Sequence, residues 1–325
     1  MIITRTPFRV SFVGGGSDLK DYYSVKPGAV ISTAIKKYMY VTVNRRFDNT
    51  IRVSYTKTEI VSRVDDIQHP IVREALKMVG IDGGIEIVSV ADIPSGTGLG
   101  SSSSFTVGLL NALYAYTGVL KSADELAQQA CRIEIDLLGE PIGKQDQYIA
   151  AYGGLCHIQF NPDGSVFVNP IVLSNASRQG LEKKLMLFYT GISRDAKIVL
   201  SDQKSRTSRG ETLKYLSRMV ALTLDARRCF LNGLDMHDLG GLLHSSWLLK
   251  KELSKGISSP TIDNYYDKAL AAGALGGKLL GAGGGGFLLL VCPPEKQSSV
   301  RLALGDLQEL DLSFEPEGSK IIYVI

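Results

Sequence analysis

The segment Pro94-Ser95-Gly96-Thr97-Gly98-Leu99-Gly100-Ser101-Ser102-Ser103-Ser104 separates two stretches of different periodicity, and its reading decides the rest. Before it, residues 85–90 form a short run rich in isoleucine and valine, which predicts a strand. After it, Val107, Leu109, Leu110, Leu113 and Tyr114 recur at helical spacing. The whole reads strand, glycine loop, helix. Glycines let backbone approach an anion, and the free amides that open a helix point at it with a favourable dipole. Such a loop is either a phosphate cradle or a tight serine-capped turn, and the segment alone does not choose between them. It is not a Walker A loop, it carries no Rossmann Gly-x-Gly-x-x-Gly, and the chain lacks the protein-kinase His-Arg-Asp and Asp-Phe-Gly pair.

Working outward, residues 2–13 roughly alternate apolar and polar and run into Gly14-Gly15-Gly16-Ser17-Asp18, a strand entering a glycine turn. Residues 38–53 are β-rich, with Val41, Val43, Ile51 and Val53 bracketing an expected hairpin at Asp48-Asn49. Ser122-Ala-Asp-Glu125 has the form of a capping box ahead of a helix over 126–138, and residues 139–147 are a loop rich in turn formers. Asn161-Pro162-Asp163-Gly164 marks a turn between two short strands. Beyond residue 195 the pattern turns helical, over 197–203, 212–231 and 238–253, so a division into 1–170 and 171–325 is expected. A second glycine run, Gly281-Ala282-Gly283-Gly284-Gly285-Gly286, enters the apolar strand 287–291. It is either a linker or a place where backbone passes close to something, and its apolar flanks favour the latter.

The 325 residues suffice for about two cores. Lys and Arg total 36 against 33 Asp and Glu, a net charge of +3, which is no electrostatic footprint for nucleic acid. The pairs Lys36-Lys37, Arg45-Arg46 and Lys250-Lys251 read as solvated faces. Four scattered cysteines indicate neither a zinc site nor a disulfide framework, and so a reducing compartment. Arg5 and Arg9 interrupt the start of the chain, which resembles a strand and not a signal peptide, and no apolar run approaches the roughly 20 residues of a membrane span. A cytoplasmic protein with no membrane partner is expected. The scattered histidines give no support to a hydrolase, and Trp247 reads as core packing.

Three glycine segments in this order, Thr6 through Asp18, Pro94 through Ser104 and Lys278 through Gly286, resemble the signature of the GHMP family of small-molecule kinases. The resemblance spans nearly the whole chain. It implies an α+β, two-domain GHMP kinase fold: a ribosomal protein S5 domain 2-like N-terminal domain, a ferredoxin-like C-terminal domain, and an active site in the cleft between them. Within the family, Thr6-Pro-Phe-Arg-Val-Ser-Phe-Val-Gly-Gly-Gly-Ser-Asp18, Gly143-Lys-Gln-Asp-Gln147 and Tyr189-Thr-Gly-Ile-Ser-Arg194 are most similar to the D-glycero-D-manno-heptose 7-phosphate kinases, and secondarily to fucokinases. Galactokinases usually carry Gly-Glu-His-Thr-Asp where this chain has Gly14-Gly-Gly-Ser-Asp18, which argues against galactose.

The resemblance implies a kinase that uses ATP and Mg²⁺ to phosphorylate the anomeric hydroxyl of a sugar phosphate, as a monomer or homodimer. It implies Asp146 as the base that orients the acceptor hydroxyl and Arg9 as the cation beside it. Pro94, Ser95, Gly96, Thr97, Gly98, Leu99, Gly100, Ser101, Ser102 and Ser103 would cradle ATP, and Ser102 with Glu134 would hold the metal, although Ser101 or Ser103 could exchange with Ser102. The substrate side comprises Gly15, Gly16, Ser17, Asp18, Gly283 and Gly284, with Lys144 and Arg194 as anchors for a distal phosphate. Apart from the resemblance, Asp146 could be a helix cap, Asp18 a turn former, Glu134 a solvated helix residue, and Arg9 a structural ion-pair partner. A fucose or galactose 1-kinase, a silent sugar-sensing relative and a decarboxylase are the competing readings.

Overall fold

The computed structural model describes residues 1–192, 196–232 and 235–325. Its strands form two sheets. The first holds β1 (Ile2–Val13), β2 (Gly28–Arg45), β3 (Ile51–Ser54), β4 (Thr58–Val61), β5 (Ile85–Ala91), β6 (Leu155–Phe160) and β7 (Val166–Pro170), and the second holds β8 (Leu185–Tyr189), β9 (Gly276–Leu279), β10 (Phe287–Val291) and β11 (Gln308–Leu310). The remaining strand, β12 (Lys320–Val324), leaves the second half and pairs with Ile2–Arg5 of β1. The strands beyond residue 170 therefore belong to the second sheet with that one exception.

Strand β2 is the spine of the first sheet: its residues 28–33 pair with β6, its residues 39–45 with β5, and β1 runs alongside both parts. The register of β1 on β2 slips after Pro7, which has no N–H to give to the ladder, and the bulge re-aims the strand just ahead of Arg9. The amide of Arg9 then bonds to the Leu99 carbonyl at 3.0 Å, tying β1 to the glycine loop.

The expected hairpin at Asp48-Asn49 does not form. Strand β5 lies between β2 and β3, antiparallel to one and parallel to the other, and β3 makes its hairpin with β4 instead. The buried Ile85 and Ile87 of β5 take the inner place, and residues 46–50 cross over the start of that strand. The crossing is tight: a Cβ on Gly83 would lie 2.6 Å from the Asn49 carbonyl oxygen. Arg46 and Thr50 both donate to the Asp48 carboxylate, which shapes the turn.

The second sheet has the order β11-β8-β10-β9 with every neighbouring pair antiparallel, so two β-α-β units are each split by one strand. This is the ferredoxin-like arrangement. Helices Ala196–Ser208, Leu213–Leu231, Met236–Lys251 and Pro260–Ala271 fill the first crossover. Strands β8 and β10 are buried on both faces. Leu187 and Leu289 pack into the core of the first sheet, while Phe188, Leu288 and Leu290 pack with Trp247, Leu216 and Tyr266. That two-sided burial explains the unbroken apolar run of 287–291 and makes the second sheet a wall shared by two cores. Among the described residues no helix is long and apolar enough to cross a membrane.

Candidate active site

The two glycine loops meet back to back. A Cβ on Gly281 would lie 2.4 Å from the Cα of Gly98, and one on Gly286 would lie 2.3 Å from the Thr97 carbonyl oxygen. Only glycine permits such an approach. The other side of the second loop rests on Ile192 and Ile257, and the Gly284 amide donates to the Ile257 carbonyl at 2.9 Å. The run 281–286 is therefore a packed contact and not a linker.

At the end of the first loop, Gly100 sits against Arg9 and Asp146. Arg9 holds the Asp146 carboxylate with two parallel bonds, Nε to Oδ1 and Nη2 to Oδ2, both 2.7 Å, and its Nη1 donates to the Gly98 carbonyl at 2.6 Å. This bidentate geometry fixes the carboxylate plane as well as its position. Arg9 is 5% exposed and Asp146 22%, so the pair opens to a cleft on the carboxylate side. Asp146 lies in the first turn of the helix Gln145–Tyr152, whose cap is Lys144; Asp146 is thus free of a capping duty.

Asp18 lines the same cleft and braces it. Its Oδ1 accepts the Gly16 amide at 2.9 Å and its Oδ2 the Gln145 amide at 3.2 Å, which joins the first glycine turn to the Asp146 helix. Burial pushes the Asp18 carboxyl up, against the pull of those amides. Gly15 and Gly16 also face the cleft. Ser17 does not. Its buried hydroxyl turns inward, donating to the Gly14 and Ala29 carbonyls and accepting the Ala29 amide. Lys144 is likewise directed elsewhere: its ammonium donates to the Gly164 carbonyl at 2.9 Å and lies over the Tyr23 ring. Gly283 and Gly284 lie beyond the cleft lining, which takes Gly281 and Ala282 from that run. Arg194 falls outside the described residues.

Behind the loop, the helix Ser101–Tyr116 opens with four serines, of which Ser102 and Ser103 approach Glu134. Ser104 is spent on the Pro7 carbonyl at 2.8 Å. Glu134 is buried, accepts Gln147 Nε2 at 2.7 Å, and is close enough to Ser103 and Ser102 to be bonded by both. Burial pushes its carboxyl up to about 7 despite those three donors. The capping box at Ser122 and Glu125 forms as expected, but the helix that follows, Ala123–Cys131, widens into a π turn over Arg132–Leu137 that carries Glu134. Such widened turns cluster at functional sites. Among the described residues no group of three or more His, Cys, Asp or Glu side chains could hold a metal.

Two functional candidates were missed in the sequence. Lys250 and Lys278, 5% and 1% exposed, reach the cleft from the second half of the chain. The pair Lys250-Lys251 reads as a solvated face, yet Lys250 continues the buried helix face of Leu239, Leu243, Ser246 and Trp247 at spacings of four, three, one and three. That periodicity was the available signal. Burial and the neighbouring Arg9 push Lys250 down to about 8, and burial with Lys250 and Arg9 beside it pushes Lys278 well down.

Comparison with known proteins agrees with this arrangement. Residues 68–154 match the GHMP kinases N terminal domain and residues 227–308 the GHMP kinases C terminal domain. The chain is 29% identical to a D-glycero-alpha-D-manno-heptose 7-phosphate kinase of Campylobacter jejuni, over 98% of both proteins. It is 30% identical to a mevalonate kinase of Thermococcus sibiricus, over 76% of this chain and 70% of that protein. A solved D-glycero-D-manno-heptose 1-phosphate kinase from Bacteriodes thetaiotaomicron shares the fold over 100% of both chains, with a TM-score of 0.83 and 22% identity.

Proposed function

The chain belongs to the GHMP kinases, phosphotransferases with an alcohol acceptor that use ATP, and on that premise we propose that it phosphorylates the anomeric hydroxyl of D-glycero-D-manno-heptose 7-phosphate. The product is the 1,7-bisphosphate. The observation that carries this reading is the Arg9–Asp146 pair at the junction of the glycine loops and the cleft, in a chain that aligns end to end with a heptose 7-phosphate kinase.

Phosphoryl transfer requires placement and charge neutralisation more than covalent help. The main chain of 96–100 and the amides opening the helix Ser101–Tyr116 receive the ATP phosphates. Asp146 accepts the proton of the acceptor hydroxyl as that oxygen bonds to the γ-phosphorus and the bond to the ADP oxygen breaks. Arg9 keeps the carboxylate aimed. Three of its five N–H groups are committed to Asp146 and Gly98, and the rest remain for transferred charge. Asp18 offers its remaining lone pairs to sugar hydroxyls.

Ser102 and Glu134 would hold Mg²⁺. Both are hard oxygen donors, and the buried Glu134 carboxyl lacks a cation, which the metal would supply. Two protein ligands suit Mg²⁺, which keeps waters and substrate phosphates as its other ligands and neutralises their charge when bound.

The test is turnover with ATP on heptose 7-phosphate, the unphosphorylated heptose, fucose and galactose, with phosphorus NMR to locate the new ester. Faster use of a neutral sugar, or a phosphate at any carbon but the anomeric one, would overturn the assignment.

A further inference from the structure

The transfer step leaves the two cleft lysines unused. Lys250 comes from the end of the helix Met236–Lys251 and Lys278 from β9, and both ammonium groups are withdrawn from solvent. That of Lys250 donates to the Gly281 carbonyl. That of Lys278 has no hydrogen-bond or ion-pair partner among the described residues. Arg9 lowers the proton affinity of both, and Lys250 that of Lys278. Among the described residues, the opposing pull comes from the carboxylate of Asp18 on both lysines and from that of Asp146 on Lys250. Asp146 is taken up by Arg9, and both oxygens of Asp18 by backbone amides.

Three cations facing one cleft with their counter-charges already engaged are an expensive arrangement in an interior. It becomes favourable when an anion enters. The position of the cleft says which anion. Its lining includes Gly15, Asp18, Leu200 and Gln203, and no residue of the loop 94–100. The lysines therefore open onto a cleft lined by the first glycine turn and by Leu200 and Gln203 of the second half, although the Lys250 ammonium also reaches Gly281, whose other side packs on Gly98.

We propose that Lys250 and Lys278 form the binding site for a phosphate monoester carried by the acceptor, so that the enzyme selects sugars that are already phosphorylated. This rests on the kinase reading above and deepens it by assigning the phosphate to two residues of the second half of the chain, in place of Lys144, whose ammonium is engaged elsewhere.

Lys250→Met and Lys278→Met, singly and together, test it. Methionine keeps the apolar length of the side chain and removes a buried charge, so Lys278→Met is expected to melt at or above the wild-type temperature. Kinetics are measured with ATP and four acceptors: heptose 7-phosphate, a hexose 6-phosphate, and the two sugars without phosphate. The preference for the phosphorylated member of each pair should collapse by about 100-fold in the double variant, through the KM of the sugar. Inorganic phosphate should compete with the sugar in the wild type and lose that effect in the variant.

An unchanged preference overturns the proposal and leaves the heptose 7-phosphate assignment standing. A lysine-dependent preference for hexose 6-phosphate does the reverse. A rise in the KM for ATP in place of that for the sugar would move the site to the donor phosphate and overturn it. A Lys278→Met protein that unfolds or melts lower would show a structural lysine, with the same result. If the wild type uses only neutral sugars, both assignments fail.

Discussion

Gly281→Ala should disable the enzyme by moving a loop, with no charged or hydroxyl group removed. Gly281 has φ +70° and its Cβ would stand 2.4 Å from the Cα of Gly98. Ordinary contact begins near 3.4 Å, so the two loops must part by about 1 Å. The backbone conformation costs about 1–2 kcal/mol and the overpacking about 1–3 kcal/mol, giving a strain of about 2–5 kcal/mol. Relief of that strain displaces the Gly98 carbonyl, which accepts Arg9 Nη1 at 2.6 Å, and through Arg9 it displaces Asp146. A misplacement of about 1 Å at a reacting group lowers turnover about 100-fold. Gly118→Ala supplies the control: Gly118 has φ +78°, but its Cβ would meet nothing within 4 Å. That variant carries only the conformational cost and should lose far less activity. The assay is kcat at saturating ATP and acceptor, with melting curves of both variants. Wild-type kcat in Gly281→Ala, or equal damage in Gly118→Ala, would refute the idea that loop contact positions the Arg9–Asp146 pair.

Three further outcomes are expected. Asp146→Asn should lower kcat by about 1000-fold while nucleotide binding survives in a fluorescence titration, and it should reduce stability by about 3 kcal/mol or less, since a buried arginine loses its partner. The KM for a phosphorylated acceptor should climb as the pH passes about 8, where Lys250 sheds its proton beside Arg9, Asp18 and Asp146. In the absence of ligand the same residue has the opposite effect on folding: between about 8 and 10.5 the unfolded chain holds the proton and the folded chain does not, so stability from this site rises with pH, and Lys250→Met removes the slope in a melting series. Glu134, whose folded proton affinity is raised above the ordinary 4.5, stabilises the metal-free protein fully below that pH, and the contribution is lost as the pH climbs through about 7. Glu134→Gln should flatten this loss and melt higher at pH 8, while turnover with Mg²⁺ and ATP falls.

The glycine loops were legible because glycine beside apolar residues has few uses, and their order along the chain carried the family resemblance. The first strand, the capping box at Ser122 and the helix after the serines were legible from local periodicity. What was not legible depended on partners distant in sequence. Residues 28–35 of β2 are all buried, so they lack the alternation that marks a strand. The place of β5 between β2 and β3 is a pairing choice that no local turn reveals. The π turn at Glu134 depends on one residue's worth of extra backbone, invisible to a helical wheel. Lys250 was masked by chemistry: a lysine beside another lysine reads as surface, and only its phase with Trp247 says otherwise. The inward turn of Ser17 could not be foreseen from composition, since it is set by the Gly14 and Ala29 carbonyls.

The contact of Gly98 with Gly281, and of Thr97 with Gly286, has an evolutionary corollary. A surface assembled from peptide groups alone offers mutation nothing to trim or extend, because any added carbon separates the loops. Across the cleft, Leu200, Gln203 and Lys250 stand on two helices and can each be exchanged without moving the backbone beneath them. Descendants of this protein could thus acquire a taste for new acceptors by altering the helices, while the peptide wall passes unedited from one specificity to the next.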